Sequence, residues 1–249
     1  MKGRIDRRLL ISTSADPDEV ARRLPPALRP HVVGGGTIVG CCLLELSDVR
    51  PDRLPAASGR SLSAAAHRIS VEWDTPDGVE VGVFVPVRLT DSRLAAAVGG
   101  RFVPGVHRRV RLETWCDGDR LAHAVDSEEA PFHLEVDVRR LGGIADAAAC
   151  DLMTSTCLGA RIGLSPARRG GFDAIHMEVS HHLVEEVAIE ELVSPFLASF
   201  VSAGAPAGRL LSGAGVRWTP AAQTLGKPRW QSGRLSGAEQ EAGELAGHR

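Results

Sequence analysis

Hydrophobic and polar residues alternate with a period of two along much of the chain, a pattern that is typical of half-buried β-strands. Every second residue from Ile69 to Trp73 is apolar, and the residues between them are polar. A short polar turn follows, and valine then recurs at every second position from Val79 to Val87. We therefore predict a β-hairpin over 66–88.

The other periodic stretches predict a mainly β domain with a few short helices. Further strands are predicted at 37–46, 106–115, 120–125, 133–138, 157–164 and 172–181. Helical spacing predicts helices at 18–24, 91–98 and 185–201, the first of them capped by Ser14 or Asp16 and ended by Pro25. Because hairpins dominate, we predict an antiparallel β-barrel or strongly bent sheet.

The composition changes near Ser202, where the chain becomes rich in alanine, glycine, proline and serine. Such a composition offers little apolar surface for a core. We therefore predict a β-barrel domain at 1–201 and a tail at 202–249. Trp218 and Trp230 are large aromatic residues through which parts of this tail could dock onto the domain or onto a second subunit in a homo-oligomer.

Charge and cysteine content exclude several classes of protein. The formal net charge of −2 provides no field that would attract nucleic acid or an anionic membrane, so neither partner is expected. The first residues lack the apolar core of a signal peptide, and no apolar run is long enough to span a bilayer, which predicts a cytoplasmic protein. The five cysteines form no CxxC pair, so we interpret them as buried core residues rather than disulfides or zinc ligands.

Lysine is almost absent from the chain. Its 29 basic residues include only two lysines, Lys2 and Lys227, both near the ends. Catalysis through a Schiff base requires a desolvated lysine. The body of the predicted domain contains none, so we expect no imine chemistry.

Four stretches follow one another in an order that resembles an uncharacterised bacterial family grouped with the acetoacetate decarboxylase-like β-barrels. They are residues 24–30, 82–94, 99–109 and 158–182. The resemblance implies a β-barrel that binds a small molecule without a cofactor. Acetoacetate decarboxylases carry a Gly-Arg-Glu element followed by Gly-Phe-Pro-Lys-Lys, whose first lysine forms the imine. The similar stretch here begins at Gly100 and places Arg108 at the lysine position and His107 at the proline position.

Arg108 is a candidate for binding an anionic group of the substrate. It shares strand parity with Val106, Val110 and Leu112, and a guanidinium on an apolar face requires an anion or several acceptors. We predict that it lines the central cavity. The structural alternative is a buried ion pair with a carboxylate such as Glu45 or Glu72.

Histidines supply the candidates for acid–base catalysis, because their ordinary pKa lies near neutrality. His67 has the parity of the apolar residues Ile69, Val71 and Trp73 on its strand, as Arg108 does on its own strand, and these two residues form one pair. Their neighbours Arg68 and His107 have the opposite parity and form the second pair. One of the two pairs is expected to line the cavity, and strand parity leaves open which one. The strand that ends at His181 matches the same resemblance, so His181 is a further candidate for substrate binding.

A metal site is not expected. His176, Glu178 and His182 would share one face of a strand, but neighbours on one strand seldom converge on an ion without further ligands, and the chain has no HExxH motif. Likewise the glycines at 34–36 are not expected to form a phosphate-binding loop, because no lysine follows them; they are expected to form a turn into the next strand.

These observations favour a cofactor-free enzyme that acts on a small or medium carbonyl or carboxylate metabolite. Proton transfer and anion stabilisation would give lyase, dehydratase or cyclase chemistry, with His107 and His67 as candidate catalysts and Arg108, Arg68 and His181 as candidate substrate ligands. The alternative is a non-catalytic β-barrel that binds a small molecule. A weaker alternative is an oligomeric scaffold.

Overall fold

The computed structural model describes residues 1–98, 105–127, 132–146, 152–167, 171–180, 183–202 and 204–221. In these residues the chain forms a mainly β structure, as the alternating pattern predicted. The strands are β1 Lys2–Ala15, β2 Arg29–Pro30, β3 Val32–Val33, β4 Gly36–Arg50, β5 Arg60–Thr75, β6 Gly78–Phe84, β7 Arg88–Thr90, β8 His107–Arg109, β9 Arg111–Asp117, β10 Arg120–Ser127, β11 Phe132–Asp146, β12 Ile162–Pro166, β13 Phe172–Val179, β14 Leu183–Val193 and β15 Ala207–Ala221. The helices are α1 Pro17–Ala21, α2 Arg93–Val98, α3 Leu152–Gly159 and α4 Pro195–Ala198, and a 3₁₀ turn covers Ala56–Ser58.

The strands join in one strongly bent sheet. Hydrogen-bonded neighbours follow the order β1, β4, β5, β6, β12, β13 and β15, and β15 also pairs with β1. The pairings of these strands therefore return to their starting point, and we refer to them as the strand ring. All of its pairs are antiparallel except β6 with β12. From β15 the sheet continues through β14, β11, β10 and β9, which we refer to as the second arm.

The main hydrophobic core lies between the strand ring and the second arm. From the ring, Leu9, Leu43 and Trp73 contribute buried side chains, and they pack in one cluster with Val125 and Leu134 of the second arm. These residues occupy one face of β1, β4 and β5. Because side chains alternate along a strand, the other face of the same strands is left for the interior of the ring.

Local signals predicted the hairpin and the first two helices well. Strands β5 and β6 form the hairpin, with Trp73 paired to Glu80. Helix α1 begins after Asp16, whose side chain accepts a hydrogen bond from the backbone N–H of Glu19 at 3.0 Å. This contact is the expected N-cap.

Two predicted elements are wrong. Residues 185–201 form β14 and the short α4 rather than one helix, because Val184 and Val187 are buried on opposite faces of β14, in separate clusters, which gives the strand a helix-like spacing. The strand predicted at 157–164 begins only at Ile162. Before it, the N–H of Ala160 still bonds to the carbonyl of Thr156 at 3.2 Å, so α3 occupies that stretch.

The tail predicted to begin at Ser202 does not begin there. Strand β15 is antiparallel to β1, β13 and β14, so it is an inner strand of the sheet. Its small residues serve close packing: a Cβ on Gly208 would lie 2.5 Å from the Cγ2 of Val187. Trp218 is part of this strand, and Trp230 lies outside the described residues. In the part of the chain that the structure describes, none of the helices has the length and apolar character needed to cross a membrane.

Candidate functional site

A cavity of about 220 Å³ lies inside the strand ring, and every strand of the ring contributes to its wall. Most of the wall is apolar. Its polar side chains, among the described residues, are Arg8, Cys42, Arg68, Arg88, Thr90, His107 and Arg161. None of the described lining residues carries a carboxylate.

Strand register brings the polar side chains together. Cys42 pairs with Ala66, Ala66 with Arg88, and Arg88 with His107, so these residues form one row across β4, β5, β7 and β8. Residues that pair directly across strands point to the same face of a sheet. Arg68 lies two residues from Ala66 on β5 and therefore shares that face.

Arg8 enters the same cavity from β1, where it pairs with Leu44, two residues from Cys42. It is almost completely buried, with 3% of its surface exposed. Its Nε donates to the Sγ of Cys42 at 3.4 Å. Sulfur is a weak acceptor, so this contact offsets only a small part of the cost of burying a guanidinium.

Arg88 lies against two glycines that leave room for its side chain. A Cβ on Gly105 would lie 3.3 Å from the Nε of Arg88, and a Cβ on Gly163 would lie 3.3 Å from its Nη2. Gly105 has a φ of +108°, which residues with a side chain rarely adopt. Burial, and then the positive charge of Arg68, lower the pKa of Arg88 to about 10, against a smaller opposing effect of Cys42.

The arginines thus place like charges around one largely apolar cavity. Repulsion between Arg68 and Arg88 and the loss of hydration both disfavour the charged form of Arg88. A bound anion would reverse both effects, because it supplies an opposite charge and hydrogen-bond acceptors.

Of the sequence candidates, His107 and Arg68 line the cavity. His67 and Arg108 are not among the lining residues, so the prediction that Arg108 lines the cavity is wrong. The parity argument was sound, but the apolar face of that strand, marked by Val110, packs into the main core on the opposite side of the sheet from the cavity. His181 lies outside the described residues.

His67 is held by the core rather than by the cavity. Its ring stacks on that of Phe196, with 3.8 Å between the centroids and 10° between the planes. Burial lowers its pKa to about 3, so it is neutral at physiological pH. This environment suits a packed core histidine better than an acid–base catalyst.

The sequence analysis missed Arg8, Arg88 and Cys42. Arg8 shares strand parity with Leu10, so the argument applied to Arg108 would have marked it as an arginine on an apolar face. Arg88 and Cys42 gave no such signal, because their common position depends on pairing between strands distant in sequence. Within the described ranges, no group of three or more His, Cys, Asp and Glu residues is arranged to hold a metal ion.

Comparison with known proteins identifies the fold. No family model matches the chain, and no curated protein matches its sequence. Several solved structures match in three dimensions. An acetoacetate decarboxylase from Legionella pneumophila superposes with a TM-score of 0.58 at 11% identity, over 90% of this chain and 89% of that one.

Two further enzymes give similar values. The enduracididine biosynthesis enzyme MppR, solved with pyruvate, has a TM-score of 0.57 at 10% identity, over 88% of this chain and 90% of its own. An acetoacetate decarboxylase-like enzyme from Sphingomonas wittichii RW1 has a TM-score of 0.56 at 14% identity, over 88% and 92%. The chain therefore has the acetoacetate decarboxylase-like fold. At this level of identity the likeness concerns the fold alone, because one fold hosts many activities.

Proposed function

We propose that this protein binds a small or medium organic anion with a carboxylate or carbonyl group inside the strand ring, and transforms it without a cofactor. The observation that carries the proposal is the convergence of Arg8, Arg68 and Arg88 on one cavity whose described wall contains no acidic residue. Guanidinium groups on a mainly apolar wall form strong charge-assisted hydrogen bonds with a carboxylate, and Arg161 adds a fourth cation to the same wall. The presence of pyruvate in the MppR structure is consistent with a small keto acid as one ligand of this fold.

The chemistry that fits is proton transfer with anion stabilisation. Guanidinium groups would hold the carboxylate through charge-assisted hydrogen bonds and would stabilise an enolate that forms next to it. His107 lies beside Arg88 in the same row and would accept or donate the proton. Elimination, dehydration and cyclisation all follow from such an enolate.

A Schiff base is not part of the proposal. The chain has two lysines. Lys2 is not among the lining residues, and Lys227 lies outside the described residues. Arginine does not replace lysine in this reaction, because its guanidinium stays protonated and does not condense with ketones.

A second candidate is a non-catalytic carrier of the same type of ligand. Its support is the wall itself, in which apolar residues outnumber polar ones. A carrier needs the arginines for orientation and has no use for a proton donor. The two candidates therefore differ in the role of His107.

The test begins with the ligand that accompanies the purified protein. Wild type and Arg88→Met are purified in parallel, denatured, and their released small molecules compared by mass spectrometry. We expect an organic acid from wild type that is depleted in the variant. The acid is then incubated with wild type and with His107→Gln. Turnover by wild type alone supports the enzyme, and binding without turnover by either supports the carrier. Equal release of the same acid from both purified proteins would contradict the proposal.

A further inference from the structure

The cavity has two chemically different ends. Arg68, Arg88 and His107 lie together at one of them. The other end carries mainly apolar side chains, namely Leu46, Val49, Leu62, Met177 and Trp218. These side chains belong to a second hydrophobic cluster of the ring interior, around Ile5 and Val216. Met1 and Arg161 also line this end; the Met1 ammonium donates to the carbonyl of Trp218 and pairs with Asp52, and the carbonyl of Arg161 accepts from the N–H of Met177.

Strand β5 connects the two ends and gives their separation. Its cavity face carries Arg68, Ala66, Ala64 and Leu62 in succession. Ala66 pairs with Arg88, so the row of Arg88 and His107 lies four residues from Leu62. At about 3.4 Å per residue, that interval is roughly 14 Å.

On β5 the wall between the two ends is formed by small side chains, because Ala64 and Ala66 project only a methyl group. Beside Ala64 the wall also contains Thr90 and Leu44, which both pair with Ala64, and Arg8, which pairs with Leu44 and donates to Cys42. An extended chain can therefore pass along β5 from the arginines to Leu62. A ligand no larger than pyruvate would leave the apolar end unfilled, and that would forfeit most of the contact area of the wall.

We propose that the ligand is an amphipathic acid, with its carboxylate at the arginine end and an unbranched apolar chain that extends along Ala66 and Ala64 to Leu62. This inference rests on the proposed function for the position of the carboxylate. Beyond that function, it assigns the ligand an apolar chain and a direction for that chain within the cavity. Each methylene that enters the apolar end contributes about 0.8 kcal/mol, which corresponds to a roughly fourfold tighter complex.

Calorimetry with butyrate, hexanoate, octanoate, decanoate and dodecanoate tests the inference. Affinity for the intact protein should increase about fourfold per methylene until the chain reaches Leu62, and should then stop increasing. The methyl ester of each acid serves as a probe without a charge and should bind at least about tenfold more weakly, because the charge-assisted hydrogen bonds are lost.

Two variants test where the alkyl chain of the bound acid ends. Leu62→Trp should fill the apolar end, leave butyrate affinity unchanged, and weaken the longest acid that wild type accommodates by about tenfold or more, as two unburied methylenes would. Leu62→Ala should have the opposite effect and extend the series. Leu54→Trp is the matched control, since Leu54 is 46% exposed and is not a lining residue. Unchanged unfolding temperatures confirm that the variants fold.

The outcomes separate the inference from the proposed function. The proposed position of the ligand's apolar chain would be overturned, with the anion site left in place, by either of two results. One is an affinity for the acids that does not depend on their length, and the other is a Leu62→Trp variant that lowers the affinity for all acids equally. Esters that bind as tightly as acids, or no binding of any acid, would overturn the anion site and with it the proposed function.

Discussion

Replacement of Arg88 by methionine should stabilise the ligand-free protein while removing its ability to hold an anion. The pKa of Arg88 is lowered from 12.5 to about 10 by burial and by the charge of Arg68. A shift of one unit corresponds to about 1.4 kcal/mol, so keeping this side chain charged costs the folded state about 3 kcal/mol. The cost applies at every pH below about 10, because there the folded protein carries the charge.

Methionine has a similar length and no charge, so it removes that cost without opening a cavity. We expect the free energy of unfolding at pH 7 to rise by about 1 to 3 kcal/mol, and the melting temperature by roughly 2 to 4 °C per kcal/mol. Affinity for a carboxylate ligand should fall by about 1.5 to 3 kcal/mol, the value of a charge-assisted hydrogen bond.

Urea unfolding and calorimetry on the same preparations measure both quantities. Arg109→Met is the matched control, because Arg109 lies on β8 beside His107 but is exposed and does not line the cavity. The control should change neither quantity by more than about 0.5 kcal/mol. A destabilised Arg88→Met protein would mean that Arg88 has a structural role, and an unchanged ligand affinity would refute its role as an anion receptor.

Three further predictions use other residues. His107→Gln should keep ligand affinity within about twofold and reduce turnover by about a hundredfold or more, as steady-state kinetics on the identified substrate would show; unchanged turnover would exclude His107 as the proton carrier. His67→Phe should make the free energy of unfolding less sensitive to acid. Between pH 6.5 and about 3 the histidine is protonated in the unfolded chain but stays neutral in the folded protein, so acid favours unfolding of the wild type. Between pH 7 and pH 5 the free energy of unfolding, measured with urea, should fall by about 2 kcal/mol more for wild type than for the variant. If the free energies of the two proteins changed equally with pH, the buried state of His67 would be contradicted. Borohydride treatment with β-keto acids should leave the protein mass unchanged, and a stable adduct would show that a lysine reaches the cavity after all.

The sequence was most informative where structure is set by neighbours along the chain. The alternation from Ile69 to Val83 predicted the β5–β6 hairpin, and Asp16 marked the start of α1. The sequence was misleading where a strand is buried on both faces, because such a strand does not alternate between apolar and polar residues. Val184 and Val187 of β14 lie in different clusters, and the resulting spacing resembles a helix.

The candidate site shows the same limit. Arg68 and His107, which strand parity had grouped together, both line the cavity, whereas His67 and Arg108 are not among its lining residues. Parity did not identify the face that borders the cavity, because both faces of β5 are enclosed, one by the second arm and one by the ring. Only the long-range pairing of β5 with β7 and of β7 with β8 places Arg88 beside His107.

The central claim is that arginines inside the strand ring receive the anionic group of a ligand. A crystal structure of the wild-type protein with octanoate tests it most directly. The claim predicts carboxylate oxygens about 2.7 to 2.9 Å from guanidinium nitrogens of Arg88 and of Arg68 or Arg8, with the chain directed toward Leu62. A carboxylate in bulk solvent, or one bound at Arg108 on the other side of the sheet, would contradict it.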